Sequence, residues 1–250
     1  MSLAGQIAIV TGASRGIGRG IALQLGEAGA TVYITGRKPA QSESAVIDKL
    51  PKLEQVANEV TSRGGRGIAA YVDHSNMEEV KAFFEKVEHD HNGQLDILVN
   101  NAYSAVTTIM GSVDKPFYEC PPEINHYFCS VYASRIMANN RSGLIVNISS
   151  AGGLRYLFNI PYGVGKQALD RMSADMALEL KASLGNIFPV LIAFPNALFC
   201  FSLSFTNGHP TKNHLFKPKN VCVVSIWPGA VRTELITNLL NTTQAAAMSD

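Results

Sequence analysis

Tyr162 and Lys166 stand at Y-x-x-x-K spacing, and a serine pair, Ser149-Ser150, precedes them at the end of an apolar run. A free tyrosine loses its proton at about pH 10, too high for proton transfer at neutrality, so a neighbouring ammonium that favours phenolate is useful. Lys166, one helical turn on, can supply it. A serine hydroxyl nearby can hydrogen-bond a carbonyl oxygen where negative charge develops. A single Y-x-x-x-K is common by chance, so its weight depends on what accompanies it.

A second constellation opens the chain. The segment T-G-A-S-R-G-I-G, residues 11–18, follows a short apolar run and leads into a helical pattern. Gly12 permits a tight turn, while Gly16 and Gly18 let backbone and helix approach a diphosphate at the helix N-terminus. The G-x-x-x-G-x-G spacing lacks the Lys and hydroxyl that a P-loop needs after its last glycine. Taken alone, the trio also suits a plain tight turn of an α/β protein.

These residues need elements to hold them. Residues 6–11 and 31–36 carry strand signals, with a helical pattern over 17–28 between them. Pro51 suits the first turn of a helix beginning near Leu53. Ser75 and Glu78 form an S-x-x-E capping box, after which Val80, Phe83, Phe84 and Val87 recur at i, i+3, i+4 and i+7. Apolar runs at 95–100 and 144–149 are of strand length, 162–180 reads as a helix, and 221–226 reads as a strand ended by Pro228 and Gly229. Apolar strands alternating with helices predict one α/β domain over residues 1–250. Its architecture is a doubly wound parallel sheet covered on both faces, whose completeness at the C-terminal edge the alternation leaves open.

In order and placement these segments resemble the short-chain dehydrogenase/reductase family. The matching residues are 11–18, Asp73 after the third strand, Asn100-Asn101-Ala102 after the fourth, 146–150, Tyr162, Lys166, and Trp227-Pro228-Gly229 through Thr233. The resemblance implies a Rossmann fold and an enzyme that interconverts a small-molecule carbonyl and its alcohol by hydride transfer. It further implies Tyr162 as acid/base, Lys166 as the group that lowers its pKa and holds the nicotinamide ribose, and Ser150 as the group orienting the carbonyl. Ser150 is preferred to Ser149 because the family's serine precedes its tyrosine by about 12 to 14 residues, which lets both reach one carbonyl. The implied cofactor contacts are Gly12, Ser14, Arg15, Gly16, Ile17, Gly18, Arg37, Asp73, Asn100, Ala102, Tyr162, Lys166, Pro228, Gly229, Val231 and Thr233.

Charge at the second strand's end bears on cofactor choice. Folds preferring NAD place an Asp or Glu there for the ribose hydroxyls, whereas a 2′-phosphate wants a cation. Here the residues are Thr35-Gly36-Arg37, with Arg15 in the glycine turn as a second cation, so NADP(H) is favoured over NAD(H). A solvated surface arginine is the plainer alternative. Asp73 would receive the adenine ring, or simply cap the next turn.

The chain also departs from the family pattern. N-N-A-G becomes N-N-A-Y, with Tyr103 in place of glycine. After Pro122, about ten helical residues, nearly three turns, are missing, including the asparagine that anchors a proton-relay water. Asn125 reads as a flanking residue. The sequence stops 21 residues past Gly229, where the family continues through a substrate-covering helix and a last strand. A catalytically impaired dinucleotide-binding or interaction protein is therefore the alternative reading.

Composition narrows the partners. With 21 Lys+Arg against 20 Asp+Glu in 250 residues, there is no one-sided field for nucleic acid and no polybasic block for an acidic membrane. Cys120, Cys129, Cys200 and Cys222 form no C-x-x-C pair, and no His stands at metal-ligand spacing, so neither a disulfide scaffold nor a metal site is expected. With no signal-peptide pattern at the start, the expected address is cytoplasmic, with association to an intracellular membrane surface left open. Charged residues are only 16%, and residues 182–211 contain none. Residues 187–205 reach the length of a membrane-spanning helix, but Pro189 and Pro195 interrupt it, and a span there would pull helix and strand apart across a bilayer. A substrate lid, a homo-oligomer surface, or translated non-coding sequence are the readings left for this insertion at about 185–219.

Overall fold

The computed structural model describes residues 2–38, 51–103, 126–180, 189–194, 197–202 and 219–228. In chain order its elements are β1 (Ile7–Val10), α1 (Gly16–Glu27), β2 (Thr31–Gly36), α2 (Leu53–Ser62), β3 (Arg66–Tyr71), α3 (Met77–Asp90) and β4 (Ile97–Asn100). They continue with α4 (His126–Asn140), β5 (Gly143–Ile148), a 3-10 turn (Ala151–Gly153), α5 (Ile160–Glu179), β6 (Pro189–Phe194), β7 (Ala197–Ser202) and β8 (Val221–Ile226). Six strands form one sheet in the order β3-β2-β1-β4-β5-β8, and the registered pairs β1/β2, β2/β3, β4/β5 and β5/β8 are all parallel. With flanking helices this is a Rossmann-type doubly wound sheet.

The chain divides into two compact units, one holding Met1–Asp73 and the other His74–Gly229. In the first, every residue of β1 is buried, which explains why its sequence is a continuous apolar run rather than an alternating one. Helices α1 and α2 approach closely at Gly26, where a Cβ would lie 2.7 Å from Val60 Cγ1. Glycine is what permits this crossing. Arg19 on α1 reaches across to Glu59 on α2, with Nε 3.1 Å and Nη2 2.5 Å from the same carboxylate oxygen. Helix α2 takes Lys52 as its N-cap, so Pro51 stands just outside the first turn rather than within it. The cap is closed by the Lys52 N–H, which donates to Gln55 Oε1 at 2.8 Å.

In the second unit the cap of α3 is Asn76, not Ser75. The Asn76 side-chain carbonyl accepts from the N–H groups of Glu78 (3.1 Å) and Glu79 (3.4 Å), so the helix begins at Met77. An asparagine one position later serves both open donors, which the serine box does not do here. Val80, Phe83, Phe84 and Val87 are all buried, as their spacing predicts. Helix α4 buries Cys129, Ala133, Ile136 and Met137. A buried polar chain crosses this unit: Asn100 Nδ2 donates to Ser130 Oγ (2.9 Å) and Asn147 Oδ1 (2.8 Å), and Asn147 Nδ2 donates to Ser173 Oγ (2.7 Å).

The uncharged stretch contains an antiparallel pair, β6 with β7, in register from Pro189↔Ser202 to Phe194↔Ala197, and β6 runs close to β8. Strand pairing satisfies these backbone groups internally, where Pro189 would leave a helix with an open carbonyl. Among the described residues no helix is long and apolar enough to cross a membrane. Asn125, Gly229, Val231 and Thr233 lie outside the described residues.

Candidate active site

Two caps hold the candidate catalytic residues Ser150 and Tyr162. Ser150 caps the 3-10 turn after β5, its Oγ accepting the Gly152 N–H at 3.2 Å. Asn159 caps α5, its Oδ1 accepting the Tyr162 N–H at 3.0 Å. The helix therefore begins at Ile160, two residues before the predicted start, with Pro161 in the first turn where a missing N–H costs nothing. Tyr162 is locked into that first turn, and Lys166 follows one turn later. The 3-10 turn lies against the Tyr162 ring so closely that a Cβ on Gly152 would collide with Tyr162 Cε1.

Of the two serines, Ser150 is the one whose hydroxyl bears on the Tyr162 phenol, favouring its ionised form. Ser149 is buried and donates to the Lys166 carbonyl at 3.1 Å, a link between β5 and α5. Burial pushes the Tyr162 phenol above the usual tyrosine range, and the Ser150 hydroxyl acts in the opposite direction. The downward pull expected from Lys166 is not among the causes. The Lys166 Nζ sits 5.9 Å from the Tyr162 ring centroid and donates to the Ile148 carbonyl at 2.8 Å. Lys166 is only 6% exposed, and burial lowers its ammonium to about 8 while the Asp170 carboxylate opposes that shift.

Several residues with no place in the sequence reading of the site surround this pair. The Phe158 ring meets Tyr162 edge-on at 5.1 Å, and Phe158 adopts a φ of 63°. A bulky residue in the left-handed region is strained, and such strain gathers at functional sites. Tyr103 meets Tyr162 at 5.8 Å with perpendicular rings. Asp170 Oδ1 accepts from Ser225 Oγ at 2.6 Å and from the Trp227 indole at 3.0 Å, fastening α5 to the end of β8 next to Pro228. The cap Asn159 was findable as an Asn three residues before Tyr162 with a proline between, whereas Phe158 and Asp170 carry no local signal.

The glycine turn belongs to the first unit. Gly12 and Gly16 have φ of 63° and 57°, and Arg15 caps α1 in extended conformation with no side-chain hydrogen bond to the helix. No acidic residue stands in the first turn of α1. Ser14 and Ile17 are half-buried and Gly18 is buried. The Ala13 N–H donates to the Thr35 carbonyl at 3.0 Å, which draws the turn to the end of β2, where Gly36 and Arg37 follow. Arg15 and Arg37 are exposed and make no ion pair among the described residues. An anionic diphosphate suits this donor set: a helix N-terminus with no side-chain cap, left-handed glycines and two cations, with no acidic residue in the helix's first turn. Asp73, half-buried, follows β3, and Asn100 is buried at the end of β4 with Ala102 half-buried beyond it. Asn100 gives both its N–H groups to the polar chain described above.

A family model described as short chain dehydrogenase matches residues 6–187. The chain belongs to the short-chain dehydrogenase family. It is similar to Dehydrogenase/reductase SDR family member 1 of Homo sapiens, 43% identical over 242 residues, which cover 93% of this chain and 62% of that protein. The same protein of Mus musculus is 42% identical over the same shares. The chain thus spans less than two thirds of the length of those curated relatives. Among solved structures it resembles a metagenomic short-chain oxidoreductase in complex with NADP, with 31% identity, a TM-score of 0.61, and coverage of 72% of this chain and 79% of that one.

Proposed function

We propose that this short-chain dehydrogenase is an NADP(H)-dependent oxidoreductase that interconverts a small-molecule carbonyl and its alcohol. The observation that carries the reading is the juxtaposition of Ser150 and Tyr162, the serine capping a 3-10 turn that packs against the tyrosine ring, at the start of a helix that presents Lys166 one turn on. NADPH, when bound, supplies the hydride. Tyr162 is the proton donor: its buried phenol stays protonated at neutral pH and releases its proton to the substrate oxygen as that oxygen gains charge. Ser150 orients the carbonyl oxygen towards the phenol. Lys166 holds the nicotinamide ribose, and its positive charge stabilises the tyrosinate left behind.

The first unit supplies the anion site. Backbone N–H groups at Ser14 to Gly18 take the diphosphate, and Arg15 and Arg37 take a 2′-phosphate, which favours NADPH over NADH. Asp73 receives the adenine, while Asn100, Ala102, Pro228, Gly229, Val231 and Thr233 follow the family pattern as further cofactor contacts. The similarity to a relative solved with NADP supports this choice.

The reading is tested by measuring binding and turnover apart. Tyr162→Phe keeps the ring and loses the proton, so it should reduce NADPH-dependent reduction of para-nitrobenzaldehyde by at least about a hundredfold, with NADPH affinity by fluorescence titration nearly unchanged. Retained turnover in Tyr162→Phe would overturn the assignment. Binding of NADPH with no turnover by the parent chain would favour the dinucleotide-binding reading instead.

A further inference from the structure

We propose that Tyr103 is a positioning residue for the Tyr162 and Lys166 pair: the face of its ring holds the Lys166 ammonium, and its contact with Tyr162 fixes the plane of the phenol. The inference rests on the roles given above to Tyr162 and Lys166, and it concerns the position where N-N-A-Y replaces the family's N-N-A-G.

An ammonium has three donors and no acceptor. Lys166 is 6% exposed, and among the described residues its Nζ has one hydrogen-bond acceptor, the Ile148 carbonyl at 2.8 Å. The Tyr103 ring centroid lies 4.6 Å from the same nitrogen, well inside the roughly 6 Å range of a cation–π contact. The Tyr162 ring, at 5.9 Å, is at the edge of that range. Tyr103 therefore supplies what water gives an exposed lysine. The same ring stands perpendicular to Tyr162 at 5.8 Å, the edge-to-face arrangement that aromatic pairs prefer.

One residue thus touches both partners of the proton-transfer pair from outside their helix. The charged and titratable groups around Lys166 are Asp170 and Tyr162 on its own helix and Tyr103 beyond β4. Strand β5 and the segment after it contribute the Ile148 carbonyl and uncharged hydroxyls. Burial works against the ammonium, and Asp170 and Tyr103 work for it. Removing the ring while keeping the bulk takes away the π face without admitting water.

The experiment is NADPH affinity by fluorescence titration across pH, on the full chain, for the parent, Tyr103→Leu, Tyr103→Phe and Lys166→Met. The parent should lose affinity on the alkaline side as Lys166 gives up its proton, and Lys166→Met should lack that limb. Tyr103→Leu should move the limb to lower pH by about one unit, and Tyr103→Phe, which keeps the ring, should restore it. A limb in Tyr103→Leu that coincides with the parent's, while Lys166→Met abolishes it, overturns the inference and leaves the proposed function standing. A limb that survives in Lys166→Met overturns the proposed role of Lys166 itself. Should Tyr103→Leu fail to fold, as judged by thermal melting, Tyr103→Met removes the π face with an adaptable side chain and is read in the same way.

Discussion

The two sites differ in where their partners come from. Around Tyr162 the protein has supplied much itself: the 3-10 turn of Ser150 packed on the ring, the Ile148 carbonyl on the Lys166 ammonium, and two rings on the tyrosine flanks. At the glycine turn it has supplied no side-chain cap for the helix. Two exposed arginines stand there without an ion pair among the described residues. A proton-transfer group must be oriented before its substrate arrives, so it is held by the chain. An anion site works by leaving its donors open for the ligand to satisfy, and its charges are completed only on binding.

The largest expected effect probes the open site. Replacing Arg15 and Arg37 together by Ala should collapse the preference for NADPH over NADH by about a hundredfold, since each charge-assisted contact contributes on the order of 1.5 kcal/mol or more. Dissociation constants for the two reduced cofactors check this, and an unchanged ratio would place the 2′-phosphate elsewhere. The next effect probes the prepared site. Gly152→Ala drives a methyl into the Tyr162 ring, so turnover should fall about tenfold while NADPH affinity stays within a factor of about two. Equal losses in binding and turnover would mean that the 3-10 turn serves the whole site rather than the tyrosine.

The smallest effect is on stability. The Lys166 ammonium is lowered from 10.5 to about 8 in the folded protein, so the unfolded chain binds that proton more tightly. Folding bears the cost in full below about pH 8 and is relieved of it as pH rises towards 10.5. Parent and Lys166→Met should accordingly differ at pH 7 in favour of Met, by about 1–3 kcal/mol, and converge towards pH 10. Thermal melts at the two pH values measure this, and a gap that widens with pH would reverse the sign of the argument.

Much of the frame was legible because it depends on local pattern. The expected strands at 31–36 and 221–226 coincide with β2 and β8, and the buried face of α3 is the stripe its spacing predicts. Helix α4 was less legible: its buried Cys129, Ala133, Ile136 and Met137 follow i, i+4, i+7 and i+8, but Tyr127, Phe128, Val131 and Tyr132 put apolar side chains on its other faces and blur the stripe. What resisted reading depends on contacts remote in sequence. Nothing near Tyr103 announces that its ring will lie over a lysine carried by α5, because that meeting is made by the parallel sheet and not by the chain's local spacing. The β6–β7 pair resisted for another reason, since a continuous apolar run has no period with which to separate strand from helix.

The buried chain of amides and hydroxyls joining Asn100, Ser130, Asn147 and Ser173 has a consequence for folding fidelity. Strands β4 and β5 are almost wholly aliphatic, so sliding one past the other by two residues would return similar side chains to the same faces, and hydrophobic burial alone would scarcely register the error. Asn100 sits opposite Asn147 in the native alignment. Any slip strands two primary amides in an oily interior, at a penalty of about 1–3 kcal/mol for each orphaned group. The four residues act as a key that admits one alignment and rejects its near copies, and the proposed proton-transfer groups, carried on the segment that follows β5, inherit their placement from that choice.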